Sequence, residues 1–281
     1  MTELDADGWF AGVSPDDADA GARAIREGNA DTPSDWPQQA VEVDFATDES
    51  DYYAKLRTAS IRATREAVTE RERADDRQLV HAVRAMDDCE SEANELAERV
   101  AEWAGTLYPE ARTGIDYART LADSDPETTV EERLVSLAQR VVDLADERDD
   151  LRTFVERQAP AVAPNLADLA GPVLAARLIA LAGGLESLAK MPGGTVQVLG
   201  AENALFAHLR GHASSPKHGI IYTHEYVRNT AHDQRGSAAR TLSGKLVIAA
   251  RIDHYSGEHN PELKEELDRR MEAIRSRGDD E

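Results

Sequence analysis

From Val130 onward the apolar residues Val130, Leu134, Leu137, Val141, Leu144, Leu151 and Val155 follow one another at steps of four and three, with one polar interruption at Arg148. Spacing of this kind keeps an apolar stripe turned toward a partner helix, so the segment is constrained to be a long coiled-coil helix. An upstream run does the same less cleanly: Leu79, Val83 and Met86, a break at Glu90, then Ala93, Ala97, Val100, Ala104 and Leu107. The connection between the two, Pro109 to Thr129, contains Pro, Asp and Ser. Two heptad helices so joined predict an antiparallel coiled-coil hairpin. Two ordinary helices of a bundle are the plainer alternative, which the sustained spacing disfavours.

The flanks of this hairpin read differently. Trp9 to Val13 is a short apolar run, and Ser14-Pro15 supplies an N-cap and a first-turn proline for a helix that Gly28 ends. Asp31 to Pro37 reads as a loop. Val41, Val43 and Phe45 alternate with Glu42 and Asp44, the pattern of a half-buried strand, and a second helix covers Asp51 to Glu70. Residues 1–72 are therefore expected to form a small α/β domain and residues 73–158 the coiled coil. Beyond Pro160 the chain is apolar and rich in small residues over Ala159 to Gly184. A turn follows at Met191 to Gly194, then a strand-like TVQVL. Helices are expected over Leu199–Leu209 and Ser237–Ile252, with a loop at Gly211–Gly219 between them. A last helix opens at Asn260-Pro261 with Leu263, Leu267, Met271 and Ile274 on one face. Residues 159–281 thus read as an all-helical domain, and the fold class as mainly α with a small N-terminal α/β domain. Only 5% of the residues are aromatic, so the cores must be mostly aliphatic.

A formal net charge of -22 argues against nucleic-acid and acidic-membrane partners. Two features qualify that inference. Only five of the 32 basic residues are Lys (Lys55, Lys190, Lys217, Lys245, Lys264), and an acidic, Lys-poor surface suits concentrated salt, where screening shortens repulsion to about 3 Å at 1 M. The charge is also uneven. Between Ala201 and Tyr255, Arg210, Lys217, Arg228, Arg235, Arg240, Lys245 and Arg251 outnumber Glu202, Glu225, Asp233 and Asp253, and six of the eight His lie in the same stretch. The N-terminus MTELDADGWF has no apolar signal core, and the run Val173–Leu185 carries Arg177 and is too short to span a bilayer. The expectation is a soluble, cytoplasmic protein without a membrane partner.

No catalytic motif is present: there is no H-E-x-x-H, C-x-x-C, G-x-S-x-G or phosphate loop. The lone Cys89 excludes an internal disulfide and a cysteine-rich zinc site. His208, His212, His218, His224 and His232 fit no common metal-ligand spacing. Replacement of Lys as polar partners, or stacking on unpaired bases, are the other readings of these imidazoles. Arg240 and Arg251, eleven residues apart, project from one face of a single helix, with Leu242, Leu246 and Ala249 opposite. Beside the loop carrying Lys217 and His218, that face could bind phosphate. Taken alone, a solvated helix face reads equally well.

The same residues resemble the signature of the Nop domain. That family's pattern opens G-A-E-K-A-L-F, continues P-K-H-G or P-K-Y-G before I-Y, and closes G-K-x-A-R-x-L-A-x-K-L-x-I-A-A-R-x-D. This chain has Gly200-Ala201-Glu202, Ala204-Leu205-Phe206, Pro216-Lys217-His218-Gly219, Ile221-Tyr222, Gly236, Ala239-Arg240, Leu242, Lys245-Leu246 and Ile248 to Arg251 with Asp253. Upstream, Ala163 to Leu166, Gly171-Pro172, Gln197 to Leu199, Asn94, Trp103 and Tyr108 to Glu110 fit as well, so the resemblance spans about Asp75 to Glu258. Asn203 and Ser237 stand where the family carries Lys, and the N-terminal segment is shorter than the family's.

The resemblance implies a non-enzymatic scaffold of an archaeal-type box C/D guide ribonucleoprotein, which methylates ribose 2′-hydroxyls on RNA. The implied partners are the box C/D guide RNA with its kink-turn, the small ribosomal-type protein bound there, a fibrillarin-type methyltransferase and a second copy through the coiled coil. S-adenosylmethionine belongs to the methyltransferase, and this chain is expected to bind no cofactor and no metal. The RNA-facing residues are expected to be Lys217, His218, His224, Arg235, Arg240, Lys245 and Arg251, with Tyr222 able to stack on a base. Trp9, Phe10, Trp36 and Phe45 are expected to offer the methyltransferase an apolar contact. A helical scaffold without RNA, and a splicing-type Nop-domain factor, are the rival readings.

Overall fold

Every regular element among the described residues is helical. The computed structural model describes residues 8–29 and 32–278; the acidic leader before Gly8, and Asp31 at the head of the expected loop, lie outside it. The helices are α1 (Ala18–Glu27), α2 (Trp36–Glu42), α3 (Glu49–Glu72), α4 (Asp75–Ala104), α5 (Ile115–Ala122), α6 (Thr129–Val162), α7 (Pro164–Ala170), α8 (Pro172–Ala182), α9 (Leu185–Lys190), α10 (Gly193–Val198), α11 (Glu202–Leu209), α12 (Glu225–Arg228), α13 (Arg235–Tyr255) and α14 (Glu262–Gly278). A 3-10 turn, Ile220–Thr223, precedes α12. The chain divides into two compact units, Met1–Ala74 and Asp75–Glu281.

Among its described residues the first unit is all-helical, not α/β. Where the alternation of Val41, Val43 and Phe45 predicts a strand, Asp35 caps α2 by accepting the Gln38 N–H at 3.3 Å, and Pro37 occupies its first turn. The helix ends at Glu42, and just beyond it Asp44 is the one non-glycine residue with positive φ (58°) among those described, while Phe45 and Ala46 both donate their N–H groups to the Ala40 carbonyl. A lone strand would leave its backbone groups unpaired, whereas this hook satisfies them locally. Only Phe45 of the alternating residues is buried. It stacks on Phe10 (5.4 Å between centroids) and meets Trp9 edge-on, while the Trp9 indole N–H donates to the Tyr52 hydroxyl at 3.2 Å. Phe10 and Phe45 are therefore the unit's own core, and its apolar exterior is carried instead by Tyr53, Ile61 and Val68. Helix α1 also starts later than Ser14-Pro15 predicts: Asp17 is its cap, accepting from Asp19 and Ala20 N–H groups.

In the second unit α4 and α6 run antiparallel. Leu79, Val83 and Met86 at the start of α4 share a core with Val155 and Ala159 near the end of α6. Ala97, Val100 and Ala104 share another with Leu134, Ala138 and Val141. The expected connection Pro109–Thr129 holds a helix of its own, α5, packed over this second core through Ala118 and Leu121. Thr128 and Glu131 start α6 with a reciprocal capping box. The seam on α6 is Leu134, Ala138, Val141 and Ala145, all buried, so three of the predicted seam leucines lie elsewhere. Leu137, Leu144 and Leu151, seven residues apart, are half-buried along its flank, and Val130 is exposed. Alanine at seam positions lets the two backbones approach closely, which a continuous leucine seam would prevent.

The base of this stalk is stitched to the helices that follow. Asp87 takes the Arg177 guanidinium from α8 through Nε at 3.1 and 3.2 Å, Arg84 donates to the Ala180 carbonyl, and Asp76 accepts the Leu185 N–H at the start of α9. Helices α7 and α8, bent by 116° at Gly171, are mostly buried; no single helix among the described residues is long and apolar enough to cross a membrane. Helix α13 runs through the centre, burying Ala238, Ala239, Leu242, Leu246, Ala249 and Ala250. The strand-like TVQVL is helical, in α10, whose first residues Gly193 and Gly194 form part of the expected turn. Gly193 lies against Gly244 of α13, where a Cβ would stand 3.6 Å from the Gly244 Cα.

Candidate nucleic-acid interface

The loop of Pro216 to Gly219 is pinned to the end of α10. Gly219 N–H donates to the Gln197 carbonyl and Ile220 N–H to the Leu199 carbonyl, each at 2.8 Å, while the Gln197 side-chain amide donates to the Lys217 carbonyl at 2.7 Å. A Cβ on Gly219 would fall 2.0 Å from the Leu199 oxygen, so only glycine permits this approach. Gly200, at φ 83°, turns the chain on the other side of the same contact. The result fixes the backbone of Lys217 and His218 while leaving the Lys217 side chain exposed.

His218 stacks on Tyr222, with centroids 4.6 Å apart and an 18° tilt, and the Arg235 guanidinium lies 5.5 Å from the Tyr222 centroid. Arg235 also donates from Nε to the Thr230 carbonyl at 3.0 Å, so the start of α13 is anchored to the stack. Burial, and then the neighbouring Arg235 charge, lower the His218 pKa, favouring a neutral ring. A neutral imidazole, a tyrosine face and two cations together offer stacking and phosphate contact at one place.

The remaining expected residues divide. Arg240 is exposed and has no ion pair among the described residues; Arg251, three turns on, is exposed and donates Nε to the Ala189 carbonyl at the end of α9. Neither pairs with Glu202 or Asp253: Glu202 accepts the Gly200 N–H, and Asp253 is committed to Asn165 and Leu166. Lys245 does not reach this surface. It is only 6% exposed and its ammonium pairs with Glu266 of α14, because a position five residues beyond Arg240 faces a different side of the helix. His224 is also committed. Its Nδ1 accepts the Tyr226 N–H and its Nε2 lies 3.0 Å from the Leu169 carbonyl, which makes it a neutral N-cap for α12. Burial is the main cause that lowers its pKa.

Two features escape a reading of the sequence. Gln197 fixes the loop through its side chain, for which a single sequence carries no signal. Helix α11 buries none of its residues, and Phe206 and Leu209 are 55% and 71% exposed. Its apolar residues suggest a core helix; their lack of a regular stripe is the available hint otherwise. Among the described residues no group of His, Cys, Asp and Glu is placed to hold a metal ion.

Comparison with known proteins places these features in context. Residues 115–273 match the family described as Nop, snoRNA binding domain, fibrillarin. The chain is 33% identical over 271 residues to an uncharacterized NOP5 family protein of Methanocaldococcus jannaschii, covering 83% of this chain and 66% of that one. It is 32% identical to nucleolar protein 56 of Saccharomyces cerevisiae over 243 residues, 70% of this chain and 48% of that protein. Among solved structures, a chain in the crystal structure of a fibrillarin/Nop5p complex superposes with a TM-score of 0.53 at 26% identity, covering 91% of this chain and 92% of that one. The chain thus spans about two thirds of the length of the archaeal relative and about half that of the nucleolar one.

Proposed function

Because the chain belongs to the Nop-domain family of NOP5, Nop56 and Nop58 proteins, we propose that it is the non-catalytic core scaffold of a box C/D guide ribonucleoprotein directing RNA 2′-O-methylation. Residues 159–281 bind the kink-turned guide RNA together with the small ribosomal-type protein seated on it. Residues 73–158 join two copies, through the half-buried flank of Leu137, Leu144 and Leu151. Residues 1–72 hold a fibrillarin-type methyltransferase, which carries S-adenosylmethionine and performs the transfer. Since Phe10 and Phe45 are used internally, that docking falls to the exposed residues of α3 and the half-exposed Trp9 and Trp36.

One observation carries the RNA assignment: Lys217, His218, Tyr222 and Arg235, all from the family signature or its approach, converge on one surface of a chain that is otherwise strongly acidic. A few cations cannot hold bare RNA against a net charge of -22, so affinity depends on the protein already seated on the kink-turn. Electrophoretic assembly on kink-turn RNA, with and without that protein, tests it. Lys217→Glu and Arg235→Glu should each abolish assembly on the protein-RNA complex. Unchanged assembly by both variants refutes the reading.

A further inference from the structure

A cavity of about 390 Å³ opens between the α7–α8 turn, α12 and α14, lined by Asp168, Thr223, His224, Tyr226, Arg228 and Lys264 among others. Its size lies at the lower end of small-molecule sites, roughly 300–1,000 Å³. One wall is aromatic: the His224 and Tyr226 rings lie 4.9 Å apart. Both His224 nitrogens and the Tyr226 hydroxyl are occupied within the protein, the latter by Asp268, and the Arg275 guanidinium lies 5.4 Å from the Tyr226 centroid, so these rings have only their remaining faces and edges to offer a ligand. The rim is polar and balanced in charge: Lys264 donates to Asp168 at 2.9 Å, Glu225 also lines it, and Arg228 is exposed without an ion pair among the described residues.

The cavity also adjoins the stacked surface. Thr223 at its lining directly follows Tyr222, and the Arg228 carbonyl accepts from Arg235 at 3.4 Å. The cavity and the stacked surface are thus neighbours along the chain.

We infer that this cavity receives a single unpaired nucleotide of the bound RNA, an inference that rests on the RNA assignment above. The base lies against the His224–Tyr226 wall, a ring N–H or amino group of the base donates to Asp168, and Arg228, with Lys264 beside Asp168, meets the flanking phosphate. Flipped bases are held in just this manner, by aromatic faces and a few polar groups at the edge. A protein side chain would use the aromatic wall equally well; the exposed Arg228, whose own carbonyl accepts from Arg235 of the stacked surface, favours a phosphate-bearing ligand.

The test uses the full chain assembled with kink-turn RNA and its small protein. 4-Thiouridine is placed at each unpaired position in turn, and crosslinked peptides are mapped after irradiation. One position should crosslink to the peptide Thr223–Arg228. Thr223→Trp, which fills the cavity from an exposed residue, and Lys264→Ala should each lower that crosslink about tenfold while crosslinks to Lys217-His218 persist. Saturation-transfer NMR with AMP and UMP on the chain alone is an independent arm, in which Thr223→Trp should abolish saturable binding. The inference fails if no position crosslinks to that peptide, if Thr223→Trp leaves the crosslink unchanged, or if the peptide crosslinks to the small protein instead. Loss of all assembly would count against the RNA assignment, and the mononucleotide arm would then decide the cavity by itself.

Discussion

Asn165 and Asp253, 88 residues apart in sequence, close a buried latch across the second unit. The Asp253 carboxylate accepts the Asn165 N–H at 3.0 Å, the Asn165 side-chain amide at 2.6 Å and the Leu166 N–H at 2.8 Å, capping α7 from the end of α13. Asn165 in turn accepts the Asn260 N–H at 2.6 Å and donates to the Glu258 carbonyl, which sets the approach to α14. Asp253→Ala leaves these donors buried and unpaired, at about 1–3 kcal/mol each. We expect a clear fall in melting temperature by circular dichroism. An unchanged melt would mean that water replaces the carboxylate.

Gly219→Ala drives a methyl group into the Leu199 carbonyl, so the Pro216–Gly219 loop must leave its place. Helix content should change little, since the loop carries none of the helical core. Assembly on the protein-RNA complex should fall at least tenfold. Retained assembly would show that the loop's backbone position is immaterial to binding.

Arg240 and Lys245 should give opposite phenotypes despite sharing α13. Arg240→Ala removes an exposed, unpaired cation and should lower assembly several-fold with a melting temperature within a degree or two of the parent. Lys245→Ala removes a buried side chain together with its pair to Glu266 and should lower the melting temperature clearly while leaving assembly of the folded fraction intact. Melting and assembly measured on the same preparations decide; a destabilised Arg240→Ala would place that residue in the packing.

His224 gives the second unit an acid-sensitive joint. Its neutral ring is favoured in the fold and its pKa is lowered, chiefly by burial. The stabilisation is therefore full above the unfolded histidine value of about 6.5 and is lost as pH falls through it toward the folded value. His224→Asn keeps a side-chain acceptor for the Tyr226 N–H without titrating there. The difference in melting temperature between parent and variant should shrink from pH 7.5 to pH 5. A constant difference would remove His224 from the pH response.

The stalk separates seam from flank. Leu144→Asp should give monomers by light scattering in molar salt with helicity preserved, because the residue sits half-exposed beside the seam. Val141→Asp places a charge in the closed α4–α6 core and should melt that end of the hairpin. Dimers persisting in Leu144→Asp would exclude this flank as the contact.

The heptad rhythm made the stalk legible, but not which residues close it. Leu134 and Val141 belong to the seam and Leu137 and Leu144 to its flank, although all four satisfy the same 4-3 count. Ala138 and Ala145 decide the matter by letting the backbones meet, and alanine is silent in an apolar pattern. The N-terminal strand failed for a local reason: three alternating residues cannot outweigh an Asp35 cap, a proline in the first turn and the lack of a strand to pair with. At the interface, Pro216 to Gly219 and Tyr222 could be singled out from residue type and resemblance. The inward turn of Lys245 depends on Glu266 in another helix, and the commitment of His224 depends on the Leu169 carbonyl. Such contacts are set by tertiary structure, so local spacing could not reveal them.

The stitches at Asp76, Arg84 and Arg177 tie the stalk to α8 and α9 as one lever. Helix α4 alone, at 30 residues, is about 45 Å long. If two copies meet along the stalk, a change of about 10° in their crossing angle swings the far end of such a helix through about 8 Å. In the proposed assembly, the orientation of the RNA surface would then be set by the packing of a few leucines far from it.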